Sequence, residues 1–246
     1  MIYWAGFLGF TIPESLRFPV IQSAPFTPPH LTMVEKETYH DDRLDRFFIW
    51  MLSRNMAKAV GKSTKLQGYD GLVDLSKKIV QGRNAKEQQA VVAKVLNSLV
   101  PSAVSTFIRT VFSPTQWVCE LNAWFASLLF EWLVGSCEVR EVEVVGLDQQ
   151  VRTQRSGVHL KKCRYLEQSG CVSMCINMCK LPTQNFLTHK LGIPITLTPN
   201  FEDMSCEMVF GQIPPPFEEE AAYQQPCLIH HGAMPSLEPC PKVREA

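Results

Sequence analysis

Apolar residues recur every three or four positions through the first half of the chain and every second position in the stretch after it. Leu44, Phe47, Phe48, Met51 and Leu52 follow a capping Asp41 or Asp42 at helical spacing and predict an amphipathic helix to about Gly61. Leu72, Leu75 and Ile79 predict a shorter helix closed by Gly82. "NAKEQQAVVAKVLNSLVP" opens with Asn84 and Glu87 in capping-box relation and stops at Pro101; Val104, Phe107, Ile108 and Val111 predict a fourth helix before Pro114.

The fifth helical segment, "TQWVCELNAWFASLLFEWLVG", is the most apolar. Glu120 and Glu131 bracket only ten residues, against the ~20 that a bilayer crossing needs, and a carboxylate at depth costs roughly 2.5 to 3.5 kcal/mol. A core helix is therefore expected. Trp117, Trp124, Phe125, Phe130 and Trp132 put aromatics on more than one side, which keeps open a helix lying on a membrane face or lining an apolar pocket.

After Gly135 the period falls to two. "CEVREVEVVG" alternates Val142 and Val144 with Glu141 and Glu143, and "GVHLKK" alternates Val158 and Leu160 with His159 and Lys161, predicting a hairpin joined through the polar stretch 146–157. A further short strand is expected over Ile193 to Pro199. Upstream of everything, Pro13, Pro19, Pro25, Pro28 and Pro29 predict an extended or disordered arm. The fold class is α+β: a helical, bundle-like half, then a small cysteine-rich part with a hairpin, a cysteine-bearing helix and short strands. The expected division is an arm over 1–39, a helical region over 40–136 and a cysteine-rich metal-binding domain over 137–246.

Charge changes this picture little. Twenty-four basic residues balance twenty-four acidic ones in a chain of 246, so no overall field draws in nucleic acid, and none is expected as a partner. The dense basic run Arg152, Arg155, His159, Lys161, Lys162 and Arg164 reads as a solvated face. The opening "MIYWAGFLGF" lacks the basic start and small-residue cleavage site of a secretory leader, and is too short and poor in Ser and Arg for a plastid transit peptide.

Cysteine usage changes it more. Of nine cysteines only Cys119 and Cys137 precede Cys163, and "CRYLEQSGCVSMCINMCK" holds four in eighteen residues. The odd count and the absence of a secretory leader favour reduced, metal-binding thiols over a disulfide framework. On a straight α-helix Cys171, Cys175 and Cys179 form a drifting ridge with ends ~12 Å apart. One zinc, with thiolates at ~2.3 Å, cannot take all three. Either two bind, or the helix breaks, or a polynuclear iron-sulfur cluster spans the wider spacing. The competing reading makes these thiols, with Met174 and Met178 between them, small core residues. Cys206 sits among Glu202, Asp203 and Glu207, which are either harder ligands or a proton relay, or else loop charges and turn caps. Cys227 precedes His230 and His231. The candidate metal ligands are Cys163, Cys171, Cys175, Cys179, Cys206 and Cys227.

Taken together, "KKCRYLEQSGCVSMCINMCKLPTQNF", "LTPNFEDMSCEMVFGQIPPPFEE" and "QQPC", with "STFIRTVF" and "LVGSCEVREVEV", resemble the plant and algal beta-carotene isomerases that open strigolactone biosynthesis. The resemblance runs from about Asp41 to Pro226 and is strongest from His159 to Cys227. It implies a chloroplast (plastid) protein containing iron, as an iron-sulfur cluster or non-haem iron, that interconverts all-trans and 9-cis beta-carotene. It also implies a carotenoid substrate and peripheral contact with a plastid membrane or lipid droplet, because a carotene stays in lipid. The family pattern places a cysteine four residues after the one in "QPC", where this chain has His231; four thiols upstream make His231 a spectator or outer ligand. Two other readings of the same residues are an iron-sulfur protein that only transfers electrons and a zinc-stapled interaction module.

Overall fold

The computed structural model describes residues 37–145, 150–216, 220–228 and Val243. Most of the expected arm, and His230, His231 and Cys240, lie outside these residues. The described residues from Thr38 onward belong to one compact unit.

The helical half follows its caps. Helix α1 (Arg43–Val60) starts at Asp42, whose side chain accepts from the Leu44 and Asp45 amides while Asp45 returns the bond, and ends at Gly61 in the left-handed region (φ 70°), where a glycine costs least. Helix α2 (Gly68–Val80) and α3 (Ala85–Leu99) follow, the latter opened by the Asn84–Glu87 capping box. Then come α4 (Ser102–Val111) and α5 (Gln116–Leu129); Phe130 breaks the apolar segment (φ −106°, ψ 4°), and α6 (Glu131–Val134) is a separate turn.

Strands β1 (Cys137–Val145), β2 (Val151–Leu160), β3 (Ile195–Pro199) and β4 (Cys206–Phe210) form one antiparallel sheet ordered β1-β2-β4-β3. Two strand expectations need correction. The polar stretch assigned to the hairpin connection is strand from Val151 onward: Val145 pairs with Val151, and a bulge between Arg140 and Val142 resets the register. Cys206, for which the sequence predicts no strand, begins β4, which inserts between β2 and β3. Alternation was hidden there because β4 is only five residues long.

Helix α5 packs against β1, β2 and β4. Its inward side carries Val118, Cys119, Ala123, Ala126 and Ser127, small side chains that let helix and sheet approach closely. Gly211 makes room at the tightest point, where a Cβ would lie 3.1 Å from Cys119 Sγ. The large side chains Trp117, Leu121, Trp124, Phe125 and Leu128 face outward. The core-helix expectation is therefore correct for the small residues and for Trp132, which is buried against Phe48, and wrong for Trp117, Trp124 and Phe125.

The basic run is a solvated face only in part: Arg152, Arg155 and Lys161 are exposed, and the other three residues are engaged. Arg164 is 4 % exposed, bonded at 2.5 and 2.9 Å to both Asp41 carboxylate oxygens and stacked between the rings of Tyr39 and Tyr69 at 4.6 and 3.8 Å. Lys162 pairs with Glu167 at 2.6 Å, and His159 with Glu207 at 2.8 Å across β2 and β4. The Arg164–Asp41 pair binds the start of α1 to the cysteine-rich part, where a buried charge is tolerated only when another meets it, and the His159–Glu207 pair joins β2 to β4 within that part.

Candidate functional site

Between β2 and β3 the chain does not form the straight helix that the cysteine spacing suggests. Helix α7 (Arg164–Ser169) begins at Cys163 and ends at Gly170; Cys171 is extended, and α8 (Val172–Met174) runs into a π-helical turn, Cys175–Lys180. Helix α9 (Leu181–Asn185) follows, then a second π-helical turn, Phe186–Leu191. A π-turn closes i→i+5 bonds and is wider than an α-turn, so residues four apart fall closer to one full turn. The single ridge is thereby broken: Cys171 belongs to the entry, and Cys175 and Cys179 to the wide turn.

This broken helix, the start of α7 and the start of β4 bring Cys163, Cys175, Cys179 and Cys206 together. Burial raises the pKa of Cys175 well above the ordinary thiol value, the neighbouring Cys179, Cys163 and Cys206 raise it further, and Lys180 opposes them. Burial and Cys163 push Cys179 up to about 12, again against Lys180. Cys206 is raised well above its ordinary value by burial, then by Cys163 and Cys179, and Cys163 by burial and Glu167. All four thiols are therefore protonated at neutral pH, and each lies within electrostatic reach of at least one other.

The remaining candidates are placed differently. Cys171 is half-buried with its sulfur 3.2 Å from Ser173 Oγ, and Cys227 is exposed beyond the 3-10 turn Ala221–Gln224. The carboxylates near Cys206 have other roles: Asp203 accepts from the Ser205 amide at 2.8 Å and Glu207 holds His159. The loop-charge and turn-cap reading is the one the contacts match.

Three neighbours of the thiols escaped the sequence reading. Lys180 is 2 % exposed, donates to the Leu197 carbonyl and pairs with Glu220 Oε2 at 3.0 Å. Tyr165 is buried, which raises its pKa against a lowering hydrogen bond with Ser76; its hydroxyl points at Met178 Sδ, 3.9 Å away. Tyr69, also raised by burial, bonds its hydroxyl to the Leu133 carbonyl at 2.5 Å. A lysine directly after a cysteine in an apolar run was the one available signal for Lys180.

Beside this cluster lies an apolar cavity of about 110 Å³. Helices α1, α2 and α3 wall it with Leu52, Met56, Leu72, Val92 and Val95, and the π-turn closes it with Met178 and Cys179. Tyr165, Ser76 and Thr183 supply the few polar atoms. Soft sulfurs in an apolar surround with one ammonium nearby suit iron in kind, the metal implied by the resemblance. As the side chains stand, no three His, Cys, Asp or Glu groups among the described residues converge closely enough to hold an ion.

Comparison with known proteins places this architecture. The C-terminal domain pattern described as "Beta-carotene isomerase D27-like, C-terminal" matches residues 132–219, a stretch that includes Cys163 to Cys206 and the whole sheet. "Beta-carotene isomerase D27, chloroplastic" of Medicago truncatula is 39% identical over 196 residues, 80% of this chain and 76% of that protein. The protein of the same name from Arabidopsis thaliana is 41% identical over 189 residues, 76% of this chain and 70% of its own. No solved structure matches the chain. With two such relatives covered over most of their length, the chain belongs to the beta-carotene isomerase D27 family.

Proposed function

We propose that the protein is a chloroplast carotenoid isomerase that interconverts all-trans and 9-cis beta-carotene. The observation that carries this reading is the apolar cavity edged by Cys179. A hydrocarbon polyene offers no hydrogen-bonding group, so only an apolar slot can select it, and reactive groups must border that slot.

The reaction moves no atom and no net electron; a chosen double bond needs only to lose bond order long enough to rotate. The walls from α1, α2 and α3 hold the polyene and exclude water, while Met178 and Tyr165 bound its position at the thiol end. The Tyr165 hydroxyl is neutral, its pKa raised further above the ordinary phenol value by burial, so no fixed anion faces the hydrocarbon there. Lys180 supplies a positive charge beside Cys175, Cys179 and Cys206. A cavity of about 110 Å³ is well below the roughly 300–1,000 Å³ of ordinary ligand sites. It takes a segment of a long polyene, and entry of the rest requires the α1 and α3 walls to part.

Iron is part of the proposal, held by thiolates drawn from Cys163, Cys175, Cys179 and Cys206. When bound, it supplies one-electron exchange that spreads charge and bond order along a polyene. The test is anaerobic purification, metal analysis, and measurement of the cis/trans ratio of detergent-dispersed beta-carotene without a redox partner. Single Cys→Ser changes at 175, 179 and 206 are expected to lower bound iron, with Cys119→Ser, on α5, as the unchanged control. Equal iron in all variants removes the metal reading. An unchanged isomer ratio with metal-replete protein removes the isomerase reading in favour of electron transfer, and zinc in place of iron in favour of an interaction module.

A further inference from the structure

The outward side of α4 and α5 is built the wrong way round for a water-facing surface. On α4, Val104, Phe107 and Val111 are 46, 62 and 54 % exposed; on α5, Trp117, Trp124, Phe125 and Leu128 are 64, 56, 52 and 60 % exposed. The α5 positions recur at helical spacing and form one stripe, opposite the small residues packed on the sheet. Scattered apolar residues on a surface need no explanation, but contiguous ones do.

Charge narrows what covers this strip. From Val95 to Phe130 the only ionisable residues of the Lys, Arg, Asp, Glu and His types are Arg109 and Glu120. Glu120 is turned to the sheet, where its Oε1 accepts from the Arg155 amide at 3.1 Å and from Gln116 at 2.9 Å. Arg109 is exposed and reaches the His189 carbonyl at 3.0 Å, which sets it beside Lys190 on the turn packed against α4. With Glu120 turned to the sheet, and Arg109 on the opposite side of α4 from Val104, Phe107 and Val111, the strip presents no charge of either sign and is complementary to the hydrocarbon border of a lipid bilayer. A docking protein would meet almost no hydrogen-bonding group there, whereas protein interfaces ordinarily carry about one hydrogen bond per 100–200 Å². Two tryptophans on the stripe suit the headgroup level, where one side of the ring is apolar and the indole N–H stays wet.

We infer that the outward faces of α4 and α5 are the surface by which the protein lies on a lipid bilayer. No single helix among the described residues is long and apolar enough to cross one, and the pair α3 and α4, which together reach that length, is bent by 81°. This deepens the carotenoid reading, since such a substrate is delivered from lipid, but its test contains no carotenoid.

The test is co-flotation of the full chain with phosphatidylcholine vesicles, with and without phosphatidylglycerol. Because the strip is uncharged, binding is expected with either vesicle composition and is expected to persist in salt. Trp124→Ser with Phe125→Ser is expected to lower the partition coefficient by about tenfold or more, while Phe47→Ser on the exposed side of α1 leaves it unchanged. Circular dichroism confirms that each variant is folded, and Leu128→Ser alone serves if the double variant is not. Retained binding in the α5 variants, loss in the α1 variant, or flotation with triacylglycerol droplets but not bilayers overturns the inference. So does a wild-type chain that ignores vesicles but forms dimers which the α5 variants abolish, since the strip is then an interface between copies. Isomerisation of detergent-dispersed carotenoid is expected to survive the α5 changes, so failure of either reading is seen separately.

Discussion

Lys180 Nζ stands 3.0 Å from Glu220 Oε2, with both side chains less than one-tenth exposed, and so ties the end of the first π-turn to the segment ahead of the 3-10 turn. Removing one partner strands a buried charge. Lys180→Met is expected to cost about 3–5 kcal/mol, whereas Lys180→Met with Glu220→Leu costs much less because no charge is left alone. Chemical denaturation of the three proteins checks this, and equal losses in single and double variants would show that the pair does not couple.

Arg164 makes a demand that lysine cannot meet. It bonds both oxygens of Asp41 and lies between two tyrosine rings, a geometry that uses the planar fork. Arg164→Lys keeps the charge and loses the fork, so it is expected to lower stability by about 2 kcal/mol or more. The melting temperature reads it; no change beyond that of an exposed substitution such as Arg54→Lys would contradict the role.

The thiols fix the pH dependence of the metal-free protein. An unfolded thiol titrates near about 8.5, and folded Cys179 near about 12. Because the folded value is raised, stability is full below the unfolded value and falls as pH rises through the folded one. Each such thiol contributes a slope of about 1.4 kcal/mol per pH unit between the two. Denaturation midpoints at about pH 8 and about pH 10 are expected to differ accordingly, and Cys179→Ala should flatten the decline. A midpoint independent of pH in this range would mean that the thiols are not buried as described.

The cavity makes a prediction that separates turnover from folding. Val95→Phe projects bulk into a void of about 110 Å³ lined by Leu72, Met178 and Cys179, so isomerisation is expected to fall at least about tenfold while stability holds or rises. Ala93→Phe, outside the cavity lining, is the control. Unchanged turnover in Val95→Phe would place the substrate elsewhere.

Much of this protein is written in short-range signals. Asp42, Asn84, Gly61 and Pro101 mark helix ends because capping and φ are local, and α1, α3 and α4 begin and end near where these residues put them. The candidate site is less legible because its parts meet only in three dimensions. Cys206 joins Cys163, Cys175 and Cys179 through the insertion of β4 between β2 and β3, and no spacing along the chain encodes that pairing. The π-turns have no composition signal of their own. Within the basic run Arg164 misled for the same reason: its partners lie far away at Asp41, Tyr39 and Tyr69.

The two π-turns also make chain length here more forgiving than in a straight helix. Each wide turn holds about one residue more than an α-turn, so a single deletion inside it can be taken up by tightening to α-helix while the chain on either side keeps its orientation. A deletion among Ile176, Asn177 and Met178 would therefore leave Lys180 on Glu220 and Leu197, whereas the same deletion in α1 or α3, which have no such slack, would rotate all that follows by about 100°. Relatives that lose one residue in this interval would keep the cysteines near their places and give up only the wide turn.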